Sequence, residues 1–175
     1  MRRLLLLRHA KSSWATPGLD DRDRPLTKRG EVAAKAIGKW IAEHGLVPEQ
    51  ILCSPAKRTR ETWKFVAQNL KQAAPVSYLE DIYDFGNGGK LIDAASNQPD
   101  TVGTLMIVGH NPSMERAAHR LSQLGDAKLI ARMENKYPTA ALAVIEFTSK
   151  SWSGIGQGTL RHFVRPKDLG ISAAD

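Results

Sequence analysis

Three short segments of the 175-residue sequence concentrate side chains able to bind and transfer a phosphoryl group: Arg8-His9-Ala10-Lys11-Ser12, Ser54-Pro55-Ala56-Lys57-Arg58 and Gly109-His110-Asn111-Pro112. Two guanidiniums offer forked N–H donors that match phosphoryl oxygens, and a helix N-terminus adds backbone N–H groups and a positive dipole end. A neutral imidazole at the base of such an anion pocket is a competent nucleophile toward phosphorus. A second imidazole, if protonated, would stabilise the negative charge that develops on the equatorial oxygens. An Arg-His pair at a strand end is, taken alone, more often a solvated turn. The agreement of three segments is what favours a site.

Each segment follows an apolar run and precedes a helix-length stretch. Strand-like runs fall at residues 4–7, 50–53, 76–79, 104–108, 140–147 and 158–164. Between them, residues 27–43 have helical periodicity, opening at Pro25-Leu26-Thr27 and closing at His44-Gly45, with Val32, Ala36, Ile37, Trp40 and Ile41 on one face. Ser54-Pro55 opens a second helix running to about residue 70, and Pro112 opens a third running to about residue 124. This alternation predicts one α/β domain spanning residues 1–175, a three-layer α/β/α arrangement with a mostly parallel central sheet. The last two strands have no helix between them, which predicts one antiparallel strand at the sheet edge. Ligands of such sheets bind outside the carboxyl ends of the strands, where the three segments lie. Residues 149–158, rich in Ser and Gly, read as a mobile loop.

Composition narrows the partners. The net charge of +7, from 25 Lys and Arg against 18 Asp and Glu, favours anionic ligands. With 6% aromatic residues and no dense basic block beyond Lys57, Arg58 and Arg60, nucleic acid is disfavoured. No apolar run approaches the ~20 residues of a membrane span, and the leucines at 4–7 fall short of the ~7–15 of a signal peptide, so the expected location is the cytoplasm. The lone Cys53 reads as a core residue. His44 reads as a partner of a helix C-terminus, and His119 and His162 as structural. Gly86-Asn87-Gly88-Gly89-Lys90 lacks the first glycine and the hydroxyl residue of a phosphate loop. Asp20-Asp21-Arg22-Asp23 reads as a salt-bridged turn rather than a calcium loop, and His110, Glu115 and His119 lack zinc-site spacing.

The three segments, with Ser13-Trp14 after the first, Asp23-Arg24-Pro25-Leu26-Thr27 before Gly30, Thr59-Arg60-Glu61-Thr62 after the second, and the tail Phe163-Val164-Arg165-Pro166-Lys167-Asp168-Leu169, resemble the histidine phosphatase superfamily. The resemblance is closest to the SixA-like phosphohistidine phosphatases and runs through nearly the whole chain. It implies the phosphoglycerate mutase-like fold of branch 1, with no metal and no cofactor. It further implies that His9 is the nucleophile, forming a phosphohistidine intermediate, while Arg8, Arg58 and His110 hold the phosphoryl group. By the same resemblance Ser12 donates its hydroxyl or backbone N–H to the phosphate, although a helix-capping role suits that serine equally well. The family usually draws a general acid from the stretch Tyr78-Leu79-Glu80-Asp81-Ile82-Tyr83, where Glu80 is the candidate catalytic residue.

Three readings follow. The first is a phosphatase acting on phosphohistidine of signalling proteins such as a histidine phosphotransfer domain, favoured because the chain has no long insertion between the second and third segments to cover a small substrate. The second is a phosphomonoesterase of small phosphate esters with the same His9 chemistry. The third is a phosphate-binding interaction module without turnover. Glu80 separates the first two, because an alkoxide leaving group needs a proton and imidazole leaves far more easily.

Overall fold

A computed structural model describes residues 1–72 and 74–172. Seven strands, β1 (Arg2–Arg8), β2 (Gln50–Cys53), β3 (Val76–Tyr78), β4 (Thr104–Gly109), β5 (Ser122–Gly125), β6 (Leu142–Phe147) and β7 (Gly158–Val164), form one sheet in the order β3-β2-β4-β1-β6-β7-β5. Helices α1 (Lys28–Glu43) and α2 (Lys57–Ala67) cover one face; α3 (Gly89–Ser96), α4 (Ser113–Leu121) and α5 (Ala127–Asn135) cover the other. The three-layer α/β/α architecture agrees with the expectation from sequence.

The leucine run shows how the layers are built. Successive strand side chains point to opposite faces. Leu4 and Leu6 therefore enter the core under α3, α4 and α5, and Leu5 and Leu7 enter the core under α1 and α2. All four are at most 1% exposed. A strand so buried on both sides belongs at the centre of the sheet, and β1 indeed pairs with β4 in parallel and with β6 in antiparallel register.

Several expectations are corrected. The antiparallel strand, β6, lies inside the sheet and not at its edge, because β7 pairs with its far side and β5 pairs with β7. Burial of Leu142, Ala143, Val144 and Ile145 on both faces requires that interior place. The third helix stops at Leu121, where Ser122 turns the chain into β5, and the second stops at Ala67. The buried face of α1 consists of Gly30, Ala33, Ala34, Ile37, Gly38 and Ile41, leaving Val32 half exposed. The Ser- and Gly-rich stretch at 149–158 is anchored: Trp152 is fully buried, and its Nε1 donates to the Val102 carbonyl at 2.7 Å. Among the described residues, no helix is long and apolar enough to cross a membrane.

Candidate active site

Sheet order and register bring the three segments together. Strands β2, β4 and β1 are adjacent and parallel, so their carboxyl ends lie side by side. Arg8 is in register with Gly109, which sets His9 beside His110; the His9 amide donates to the Gly109 carbonyl at 3.0 Å. The Ser54 amide donates to the Val108 carbonyl, bringing the start of α2 to the same point. The His9 and His110 rings then lie 5.4 Å apart, centroid to centroid, tilted by 53°.

The loop carrying His9 is strapped down from two sides. The Ala10 amide donates to Thr62 Oγ1, whose hydroxyl donates to the Arg58 carbonyl. On the other side Thr27 N–H donates to the Lys11 carbonyl at 2.9 Å, and α1 approaches so closely that a Cβ on Gly30 would stand 2.2 Å from the Lys11 carbonyl oxygen. Only glycine permits that approach.

His9 is 8% exposed, and its Nδ1 lies 2.7 Å from the Ala10 carbonyl. A carbonyl only accepts, so Nδ1 carries the proton and Nε2 presents its lone pair. Burial, reinforced by the charges of Arg58, Arg8 and Arg24, lowers the pKa of the ring to about 3. The imidazole is neutral near pH 7, as a nucleophile toward phosphorus must be.

His110, 1% exposed, is the opposite tautomer. Arg58 Nη2 donates to its Nδ1 at 3.2 Å, since a guanidinium cannot accept, so Nε2 holds the proton and donates to Ser54 Oγ at 2.7 Å. Burial, then His9 and Arg58, lower its pKa to about 2. In the structure His110 is therefore a neutral ring that accepts from Arg58 and donates to Ser54. Tyr83 and Phe85 stand against its faces, with centroids 5.2 and 5.1 Å away.

Arg58 is 2% exposed. Its Nη1 donates to the Asp21 carbonyl at 2.7 Å and its Nη2 to Asp21 Oδ2 at 3.0 Å, and Tyr83 Oη donates to that same Oδ2 at 2.5 Å. Burial pushes the Asp21 pKa up, but the Tyr83 hydroxyl and the Arg58 charge outweigh it and bring the group down to about 2. Arg8 donates from Nη1 to the Tyr137 carbonyl. The Nε atoms of Arg8 and Arg58 are buried without a hydrogen-bond partner among the described residues. Such orphaned donors suit an anion.

The remaining candidates divide. Ser12 lies in the same cluster, but its hydroxyl accepts from Arg24 Nη1 at 2.7 Å, and Arg24 Nε in turn reaches Asp21 at 3.2 Å. Glu80 is held apart. It is exposed and doubly bonded to Arg22, at 2.8 and 2.6 Å, and that hydrogen bonding lowers its pKa, so it holds no proton to give near pH 7. Asp21, Arg24, Ser54 and Tyr83 were not singled out for the site by sequence. The cue in the sequence was the charged turn at 20–24, whose salt bridges were legible but whose target, Arg58, was not. Among the described residues, no three His, Cys, Asp or Glu side chains are grouped to hold a metal ion.

Known proteins resemble this chain in sequence and in fold. Residues 4–90 match the family model of the histidine phosphatase superfamily (branch 1). The chain is similar to an uncharacterized protein of Mycobacterium tuberculosis, 32% identical over 154 residues that cover 87% of this chain and 93% of the relative. A chloroplastic protein of Arabidopsis thaliana is 34% identical over 180 residues, covering 94% and 78%. Among solved structures it is similar to the putative phosphohistidine phosphatase SixA of Agrobacterium tumefaciens, with 30% identity, a TM-score of 0.80 and coverage of 94% and 98%. The protein histidine phosphatase SixA bound to tungstate shares the fold at 20% identity, with a TM-score of 0.76 and coverage of 95% and 99%.

Proposed function

The chain belongs to branch 1 of the histidine phosphatase superfamily, SixA-like in structure, and from that premise we propose that it dephosphorylates phosphohistidine on proteins through a covalent intermediate on His9. The observation that carries this reading is the pairing of a neutral, Nε2-presenting His9 with two nearby carboxyl groups, Asp21 and Glu80, that are held ionised. Glu80 is bonded to Arg22 and Asp21 to Arg58, so neither is a proton donor at neutral pH.

His9 Nε2 attacks phosphorus as the bond to the leaving group breaks. A phosphorylated imidazole, already protonated by solvent on its other nitrogen, leaves as neutral imidazole and needs no enzymic acid; an alcohol would leave as alkoxide, and general acid catalysis helps such a step by about 10²–10⁴-fold. The phosphorylated His9 ring keeps its Nδ1 proton on the Ala10 carbonyl and bears a positive charge, which makes it a good leaving group in turn. Water then attacks phosphorus, phosphate departs, its proton goes to solvent, and neutral His9 is regenerated. Arg8 and Arg58 bind the phosphoryl oxygens throughout, with His110 steering Arg58.

Phosphate release should be measured in the presence of a metal chelator, from a histidine-phosphorylated protein domain and from a set of phosphate monoesters, with wild type and His9→Ala. Fast release from phosphohistidine that His9→Ala abolishes is expected. Preference for a monoester would move the activity to small phosphate esters, and inactivity on both would leave a phosphate-binding module.

A further inference from the structure

Beside the phosphoryl site lies a second feature that its chemistry does not use. A cleft of about 440 Å³ is lined by Arg8, Lys11, Arg29, Lys136, Arg165 and Lys167, together with apolar and hydroxyl groups. The cations come from four separate segments: the end of β1 and its loop, the first turn of α1, the residue after α5, and the tail turn at Pro166–Leu169. No Asp or Glu lines the cleft among the described residues. Of the six, Arg165 is neutralised by Asp168, at 2.8 and 3.0 Å, and Lys11 has a partner of its own, so the charge of the cleft is carried chiefly by Arg8, Arg29, Lys136 and Lys167. Like charges gathered around a concave surface repel one another and are relieved by an anionic occupant.

Arg8 belongs to both places. Its backbone adjoins His9, its charge acts on His9, and its side chain forms part of the cleft wall. An occupant of the cleft therefore meets the residue next to His9. Arg29, Lys136 and Lys167 are exposed, on long flexible stems spread over a space larger than one phosphoryl group needs. That arrangement fits several carboxylates on a chain better than a single compact anion.

We infer that this cleft docks an acidic polypeptide segment flanking the phosphorylated histidine, and so selects substrate proteins by the carboxylates beside the reacting residue. The inference rests on the proposed phosphohistidine activity for its turnover arm, but its binding arm is independent.

The binding arm uses a fluorescein-labelled, unphosphorylated Glu-rich peptide, titrated by anisotropy at low and high salt. Three proteins are compared: wild type, a variant with Arg29→Glu, Lys136→Glu and Lys167→Glu, and a control with Lys64→Glu, Lys71→Glu and Lys128→Glu, none of which lines the cleft. Both variants carry a net charge of +1 in place of +7, since each reversal counts two. The cleft variant should bind at least about 10-fold more weakly than the control. Equal weakening in both would overturn the inference. Thermal melts matching wild type would show that the reversals leave the fold intact.

The turnover arm compares phosphohistidine peptides with Glu or Gln flanks. Wild type should favour the Glu peptide by about 10-fold in kcat/KM at low salt, and the cleft variant should lose the preference. Turnover without preference would overturn the docking cleft and leave the proposed function standing. Discriminating binding without turnover of either peptide would do the reverse.

Discussion

The Asp21 side chain and backbone both grip Arg58: the carbonyl takes Nη1 at 2.7 Å and the carboxylate takes Nη2 at 3.0 Å. The guanidinium is thus held at both of its amino groups by one residue, and its Nη2 also donates to His110. Asp21→Asn would remove a negative charge facing the incoming phosphoryl group and keep the backbone acceptor. Competitive inhibition by inorganic phosphate should tighten several-fold in that variant. Unchanged or weaker inhibition would mean that the carboxylate acts mainly to position Arg58.

Replacing Arg58 by lysine should be severe. An ammonium is one point charge and cannot donate in a planar fork to Asp21, His110 and a phosphoryl oxygen together. A fall in kcat/KM of about 10²-fold or more is expected for Arg58→Lys, with phosphate binding weakened in parallel. A loss under threefold would show that charge alone suffices.

Glu80→Gln should change phosphohistidine turnover by less than threefold, because the carboxylate is exposed and committed to Arg22. Steady-state rates on phosphohistidine and monoester substrates check this. A large loss on phosphohistidine would restore Glu80 as a proton donor.

The two buried imidazoles link stability to pH. His9 titrates near pH 6.5 in an unfolded chain and near 3 when folded, so between those values the unfolded state holds a proton that the folded state does not. The contribution is complete above about pH 6.5 and declines as pH falls toward the folded value; by pH 4 the loss for His9 is on the order of 3 kcal/mol. His110 acts in the same direction. His9→Gln should flatten the fall in urea-unfolding stability between pH 6.5 and 4 relative to wild type. Ring resonances of both histidines should stay neutral down to pH 5, and a midpoint near 6.5 for either would show that burial does not hold that ring neutral.

Gly30→Ala tests the strap on the His9 loop. A methyl group there would meet the Lys11 carbonyl oxygen at 2.2 Å, so α1 or the loop must move. Overpacking of this kind costs about 1–3 kcal/mol, and kcat should fall because His9 moves with the loop. Thermal melts and initial rates together check it; wild-type values for both would show that the backbone adapts without displacing His9.

Much of this protein was legible in its residues alone. Apolar runs and helical periodicity are local properties, so β2 and β7 were read to the residue and α1 to within one. The motifs at the three strand ends singled out His9, His110, Arg8 and Arg58, and the structure brings His9, His110 and Arg58 together because a parallel sheet collects its strand ends on one side. The His9 tautomer needed the structure, which supplies the Ala10 carbonyl that holds its Nδ1 proton.

Only the tertiary structure decided the rest, since those features arise between segments far apart in the chain. The interior place of β6 depends on β7 and β5 closing over it. Trp152 anchors a loop of mobile composition only because Val102 lies opposite. The Asp21 grip on Arg58 spans 37 residues, and the bond from Arg22 to Glu80 spans 58. The charge state of His110 turned on burial and on the direction of a donor from Arg58, neither of which a sequence records. Residue type sets what a group can do, and its neighbours in space set which protonation state and which partner it has.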